Sequence, residues 1–194
     1  MKTRLASGDA LIIVDVQNDF LPGGNLAVPA GDEVITPLNK YIALFTSKGL
    51  PVFATRDWHT PDHCSFRDQG GLWPPHCVAG AAGAAFSAAL ALPAGAQIIS
   101  KADTSSKDAY SGFEGTPLHA LLQAAGIRRV FIGGLATDYC VLNTVKDALR
   151  YGYATFVAVD AVRAVNVQPG DGERAMEEML SLGAVAICLE EIEA

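Results

Sequence analysis

Apolar residues fall along this chain in two rhythms. Short, nearly unbroken runs are ALIIVDV (10–16), PVFAT (51–55), QIIS (97–100), RVFIGG (129–134), ATFVAVD (154–160) and AVAICL (184–189). Their length and continuity suit strands buried on both faces. Between them lie longer segments with helical spacing. VITPLNKYIALFTSKG (34–49) carries Pro37 early, where a helix tolerates it, and stops at Gly49. TPLHALLQAAG (116–126) predicts a helix with Thr116 as N-cap, Pro117 at its first position and Gly126 just past its end. YCVLNTVKDALRYG (139–152) and GDGERAMEEMLSLG (170–183) predict two more.

Strand and helix alternate, which predicts an α/β fold: a doubly wound, six-stranded, mainly parallel sheet with helices on both faces and right-handed crossovers. One domain over residues 1–194 is expected, with no linker or internal repeat. Two stretches break the alternation. Residues 56–80 are rich in Pro, Gly and His and read as a long functional loop. AGAAGAAFSAALAL (79–92) is Ala-rich, but its glycines argue against a long helix. In such folds ligands bind beyond the carboxyl ends of the strands, so site residues should follow strands directly.

Composition narrows the partners. Half of the 194 residues are apolar and 18% are charged, a globular balance. The net charge of −7, without any basic stripe, argues against nucleic acid and anionic membranes as partners. The opening MKTRLASGDALIIVDV reads as a strand, because its apolar run carries Asp9 and Asp15 and lacks a cleavage site. No run of about 18 apolar residues predicts a membrane span. Cys64, Cys77, Cys140 and Cys188 form no C-x-x-C pair and suit a reducing compartment, so the cytoplasm is the expected location. Monomer and homo-oligomer both remain open.

The candidate chemistry falls where the fold requires it. Asp15 ends the first strand, Asp57, His59 and His63 follow the second, Lys101 follows the third, and Cys140 follows the fourth. A lone intracellular cysteine is usually a small buried hydrophobe, which is the reading for Cys188. Cys140 differs because it opens a predicted helix after the small, turn-prone GGLAT. Unpaired N–H groups there lower a thiol pKa and can receive an oxyanion, and a nearby lysine adds to the first effect. Asp15 inside an apolar strand is costly unless it caps a turn or serves as a base. Asp-x-His-x-x-x-His, with His76 beyond it, offers nitrogen and oxygen ligands of the kind that Zn²⁺, Fe²⁺ or Mn²⁺ accept. His119, within a predicted helix, is left to packing. Phe20, Trp58, Phe66 and Trp73 flank these residues in sequence and serve a core or a flat heterocycle equally well.

Taken together, VDVQNDF, RDWHTPDHCSF, LWPPHCVAG, Lys101 with DAYSGF after it, and GLATDYCV resemble the bacterial nicotinamidase/pyrazinamidase family of isochorismatase-like cysteine hydrolases. The resemblance runs in order from Asp15 to about Asp160. It implies Cys140 as nucleophile, Asp15 as proton acceptor and donor, and Lys101 as third member of a triad. It implies an oxyanion hole from the backbone N–H groups of Ala136 and Cys140, with a cis peptide at Leu135–Ala136. It implies one divalent metal (zinc, iron or manganese) on Asp57, His59, His63 and His76, holding the pyridine nitrogen, and a ring sandwich of Phe20 and Trp73. The implied reaction is hydrolysis of nicotinamide to nicotinate and ammonia through a Cys140 thioester, in NAD salvage. Alternatives are another small-amide hydrolase of the same family, or a metal-hydroxide hydrolase with a structural Cys140. The stretch after VAG is less polar than is usual in the family, so residues 79–95 carry no motif argument.

Overall fold

The structure, a computed structural model, describes residues 2–193. A six-stranded sheet runs through it, with β1 at Asp9–Val14, β2 at Val52–Asp57, β3 at Gln97–Lys101, β4 at Arg129–Leu135, β5 at Ala154–Arg163 and β6 at Val185–Ile187. Its spatial order is β3-β2-β1-β4-β5-β6, and every pairing is parallel. The strand order reverses between β1 and β4, the switch point at which a doubly wound sheet opens a crevice. Near the chain ends, Thr3–Arg4 pairs with Ile192–Glu193 in a separate two-residue ladder.

Both faces of the sheet are covered. All six residues of β1 are buried, and they divide by alternation. Leu11 and Ile13 join a core with Leu38, Tyr41 and Phe45 of α1 (Ile35–Ser47). Ala10, Ile12 and Val14 face the opposite core, shared with α2 (Leu118–Ala124), α3 (Leu142–Arg150) and α4 (Asp171–Ser181). Each fully buried aliphatic side chain here stabilises the fold by about 1.5–3 kcal/mol. Parallel strands covered on both sides are why the runs read as continuously apolar. Beside the switch point, β4 passes so close to β1 that a Cβ on Gly134 would overlap the Val14 backbone. Gly134 also has φ +125°, a conformation that side chains disfavour.

The elements differ from the sequence expectation mainly at their ends. α2 begins at Leu118, not Pro117, and the Thr116 hydroxyl accepts a 3.3 Å bond from the Leu118 N–H. The helix expected from residue 139 opens as a π-helical turn, Thr137–Val141, before α3 begins. β6 is a short edge strand that ends at Ile187. Cys188 lies past it and is half-buried, so it is not the core residue expected. Residues 79–95 hold one 3-10 turn, Ala82–Ala84, within an irregular segment.

Candidate active site

Register brings the polar groups together. Val14, the last residue of β1, lies opposite both Thr55 and Gly134, and Asp57 of β2 lies opposite Lys101 of β3. Four strand ends therefore meet at one edge. Asp15 leaves β1 with φ +49°, a backbone conformation uncommon outside glycine. β4 ends at Leu135, the Leu135–Ala136 peptide is cis, and the π-helical turn carries Cys140. Asp15, Asp57, Lys101 and Cys140 are all buried.

Lys101 is the hub. Its ammonium lies 3.0 Å from Asp15 Oδ2, pairs tightly with Asp57 Oδ1, and donates to the Ala109 carbonyl at 3.2 Å. It also reaches Cys140 Sγ at 3.5 Å. The Thr55 hydroxyl donates to Asp15 Oδ1 at 2.6 Å. One Asp15 oxygen, one Asp57 oxygen and Cys140 Sγ lie within 4.8 Å of one another.

Electrostatics overturn one expectation. Burial pushes the Cys140 thiol well above its ordinary range. Lys101 pulls it back only in part, while Asp15 and Asp57 push it further up. The turn therefore does not present a ready thiolate. Burial also raises Asp15, against the pull of Lys101 and with a push from Asp57. For Lys101, burial acts downward, but Asp15 and Asp57 outweigh it and hold the ammonium firmly charged. A proton moving from Cys140 to Asp15 leaves the total charge of this buried cluster unchanged, so the pair can exchange it without burying new charge.

A second cluster adjoins the first through Asp57. One ligand atom each from Asp57, His59 and His76 falls within 4.8 Å of the others, and all three residues are buried. His59 Nδ1 lies 3.1 Å from the Ala102 carbonyl and His76 Nδ1 lies 2.8 Å from the Pro74 carbonyl. A carbonyl only accepts, so each Nδ1 carries the proton and each Nε2 keeps a lone pair. That backbone-anchored tautomer is the usual support for a metal-ligating histidine. Burial, then His76 and His63, lower the His59 pKa to about 3, so it stays neutral and able to ligate. The donor set of one carboxylate and two imidazoles fits a divalent transition metal.

His63 is not brought into this ligand group. Its Nε2–H donates to the Lys107 carbonyl at 3.2 Å, while its Nδ1 lies 2.8 Å from Ser65 Oγ and accepts from the Ser65 N–H at 3.3 Å. Its ring packs against His59 instead, with centroids 4.1 Å apart.

Both clusters border one cavity of about 500 Å³, its open mouth included. Phe20, Trp73, Tyr110 and Tyr139 give it aromatic walls, and Ala136 and Cys140 lie at its lining. The Trp73 indole donates to Tyr110 Oη at 3.1 Å and meets Tyr139 edge-on at 5.3 Å. Phe20 stands 5.6 Å from the His76 ring. This lining suits a single small aromatic ligand. Outside the cavity, His119 stacks on Tyr151 at 3.9 Å, as a packing residue does.

The sequence reading missed Thr55, Tyr110 and Tyr139. Thr55 looked like one more β-branched strand residue. Tyr110 lies in the quoted DAYSGF and Tyr139 beside Cys140, but only the fold turns them toward one cavity. Gln17 and Asp19 were passed over within VDVQNDF, although polar residues in so apolar a motif were a usable signal.

Residues 9–191 match the Isochorismatase domain family. The nicotinamidase of Escherichia coli K12 is 39% identical over 201 aligned positions, covering 93% of this chain and 94% of that protein. The pyrazinamidase of Pyrococcus horikoshii, solved in complex with zinc, is 49% identical with a TM-score of 0.90, over 94% of this chain and 99% of that one. PnC1 of L. infantum, solved in complex with nicotinate, is 36% identical with a TM-score of 0.91 over the whole of both chains.

Proposed function

The chain belongs to the isochorismatase family, and from that premise we infer that it acts as a nicotinamidase, hydrolysing nicotinamide and pyrazinamide-like amides to the acid and ammonia. The observation that carries the reading is the placement of Lys101 Nζ, 3.0 Å from Asp15 and 3.5 Å from the Sγ of Cys140, which lines the cavity that also borders Asp57, His59 and His76.

The residues supply the steps. Asp15 takes the Cys140 thiol proton as Sγ attacks the amide carbon, which offsets the high thiol pKa. Lys101 holds Asp15 and balances its charge. The backbone N–H groups of Ala136 and Cys140 face the developing oxyanion. The C–N bond then breaks, ammonia leaves with the proton from Asp15, and a thioester remains on Cys140. Asp15 next draws a proton from water, whose oxygen attacks the thioester, and returns it to the departing Cys140 thiolate as the C–S bond breaks. Phe20 and Trp73 hold the pyridine ring.

Asp57, His59 and His76 would hold a divalent metal (zinc, iron or manganese), a Lewis acid for the pyridine nitrogen. Metal activation of water is unnecessary on this reading, because Cys140 already lies beside its base. The reaction belongs to pyridine nucleotide salvage, in the cytoplasm, with residues 1–194 working as one domain. Among the described residues no helix is long and apolar enough to cross a membrane.

The test is ammonia release from nicotinamide by the metal-loaded protein. Release matched by equimolar nicotinate is expected. No release, with zinc bound and Cys140 reduced, would send the substrate search to other small amides.

A further inference from the structure

The turn after β1 does more than deliver Asp15 and Phe20. Gln17 and Asp19 are buried as well, yet neither lines the cavity. The Gln17 carboxamide closes on the end of β2. Its Nε2 donates to the Asp57 carbonyl at 2.8 Å and to the Ala84 carbonyl at 2.9 Å, and its Oε1 accepts from the Asp57 N–H at 2.8 Å. Both peptide groups of Asp57 are thereby fixed by one side chain.

Asp19 acts on the other end of the loop. Its Oδ2 accepts from the Cys77 N–H at 2.7 Å, and its Oδ1 from the Asn25 N–H at 3.2 Å. Cys77 follows His76 directly and has φ +46°, a conformation that persists only where its surroundings hold it. The Cys77 carbonyl in turn accepts from the His59 N–H at 3.0 Å. The Asp19 carboxylate fills the space beside Gly83, where any Cβ would collide with it.

We propose that Gln17 and Asp19 are positioning residues that clamp the backbones of Asp57, His59 and His76 in register with Asp15. One turn after β1 thus sets both the base and the metal ligands. Gln17 acts through Asp57, and Asp19 acts through Cys77 on the two histidines. The proposal rests on the reading of Asp57, His59 and His76 as metal ligands.

Zinc affinity of the full chain tests it, measured by competition with a chromogenic chelator, with near-UV circular dichroism as the control for folding. Asp19→Ala should keep the native spectrum and raise the zinc Kd by about 10–100-fold, the range for lost support of a ligand shell. Asp19→Asn keeps an oxygen for the Cys77 N–H and should stay within about threefold of wild type. A merely structural role would lower the unfolding midpoint without separating the two zinc affinities. Native Asp19→Ala with wild-type affinity overturns the proposal. If Asp19→Ala fails to fold, Gln17→Glu decides. It keeps the acceptor for the Asp57 N–H, loses both donated bonds, and should show the same rise, whereas unchanged affinity overturns the clamp. Wild-type protein that binds no zinc overturns the metal reading and the clamp with it. Wild type that binds zinc beside unaffected variants removes the clamp alone.

Discussion

The two halves of the site are built by different means. Asp15 and Lys101 lie at or just beyond strand ends that sheet register brings together, and the π-helical turn after β4 delivers Cys140 to them. The histidines lie on the irregular loop between β2 and β3, where hydrogen bonds to other loops fix the backbone. Asp57 belongs to both, as the last residue of β2 and the partner of Lys101. The difference teaches where each half is fragile. The strand-borne half depends on charge balance in a buried cluster, and the loop-borne half depends on its supporting bonds.

The sharpest way to separate the halves is Cys140→Ala. Nicotinamide turnover should fall by at least about 10⁴-fold, as removal of a nucleophile does, while bound zinc stays unchanged. Substantial residual activity would mean that the loop-borne half can work alone.

His59→Ala should do the reverse. Zinc affinity should drop by more than about 100-fold, and iodoacetamide should still alkylate Cys140. His63→Ala should cost only about 10-fold in zinc affinity, because His63 stands outside the ligand group. Equal losses in the two variants would restore His63 to the cluster as a full member.

Lys101→Met tests the charge balance. It leaves two buried carboxylates without a counter-charge, at about 3–5 kcal/mol in unfolding experiments near neutral pH. Burial already raises the Asp15 pKa. Lys101 pulls that pKa down, so the loss should be full only above the still higher Asp15 pKa of the variant and shrink as acid protonates Asp15. A deficit that does not change with pH would contradict the charge argument.

The smallest effects lie in the pH profile. The active state holds one proton between Asp15 and Cys140. A second proton inactivates it at an acid limb above the ordinary Asp value of 3.8. Loss of the shared proton gives an alkaline limb above the ordinary thiol value of 9.0. Thr55→Val removes the bond that lowers the Asp15 pKa, so the acid limb should move upward. The rate should fall by about tenfold, the worth of one hydrogen bond to a charge. An alkaline limb near neutrality would contradict a buried, protonated thiol.

The strand-borne half was also the legible half. Continuous apolar runs announced the parallel sheet, and the rule that ligands gather past strand ends singled out Asp15, Lys101 and Cys140. The pKa of Cys140 was not legible, because helix position is visible in sequence and depth of burial is not. In the loop-borne half the residue types pointed to a metal, but ring orientation decides membership. His63 matches the spacing, yet its nitrogens turn to Ser65 and Lys107. Gln17 and Asp19 bond to residues 40 and 58 positions away, a pairing no local pattern carries. The 79–95 segment was ambiguous for the same reason. Its backbone answers to Gln17 and Asn18, through bonds to Ala84 and Ala82, more than to its own propensity.

The central claim is covalent catalysis by Cys140, and the most direct measurement is intact-mass analysis of zinc-loaded protein mixed with nicotinamide and quenched in acid within milliseconds. The account predicts one nicotinoyl group on wild-type protein, located at Cys140 by peptide mapping, and none on Cys140→Ala. Rapid ammonia release without any acylated protein at the earliest quench times, together with an active Cys140→Ala variant, would contradict it.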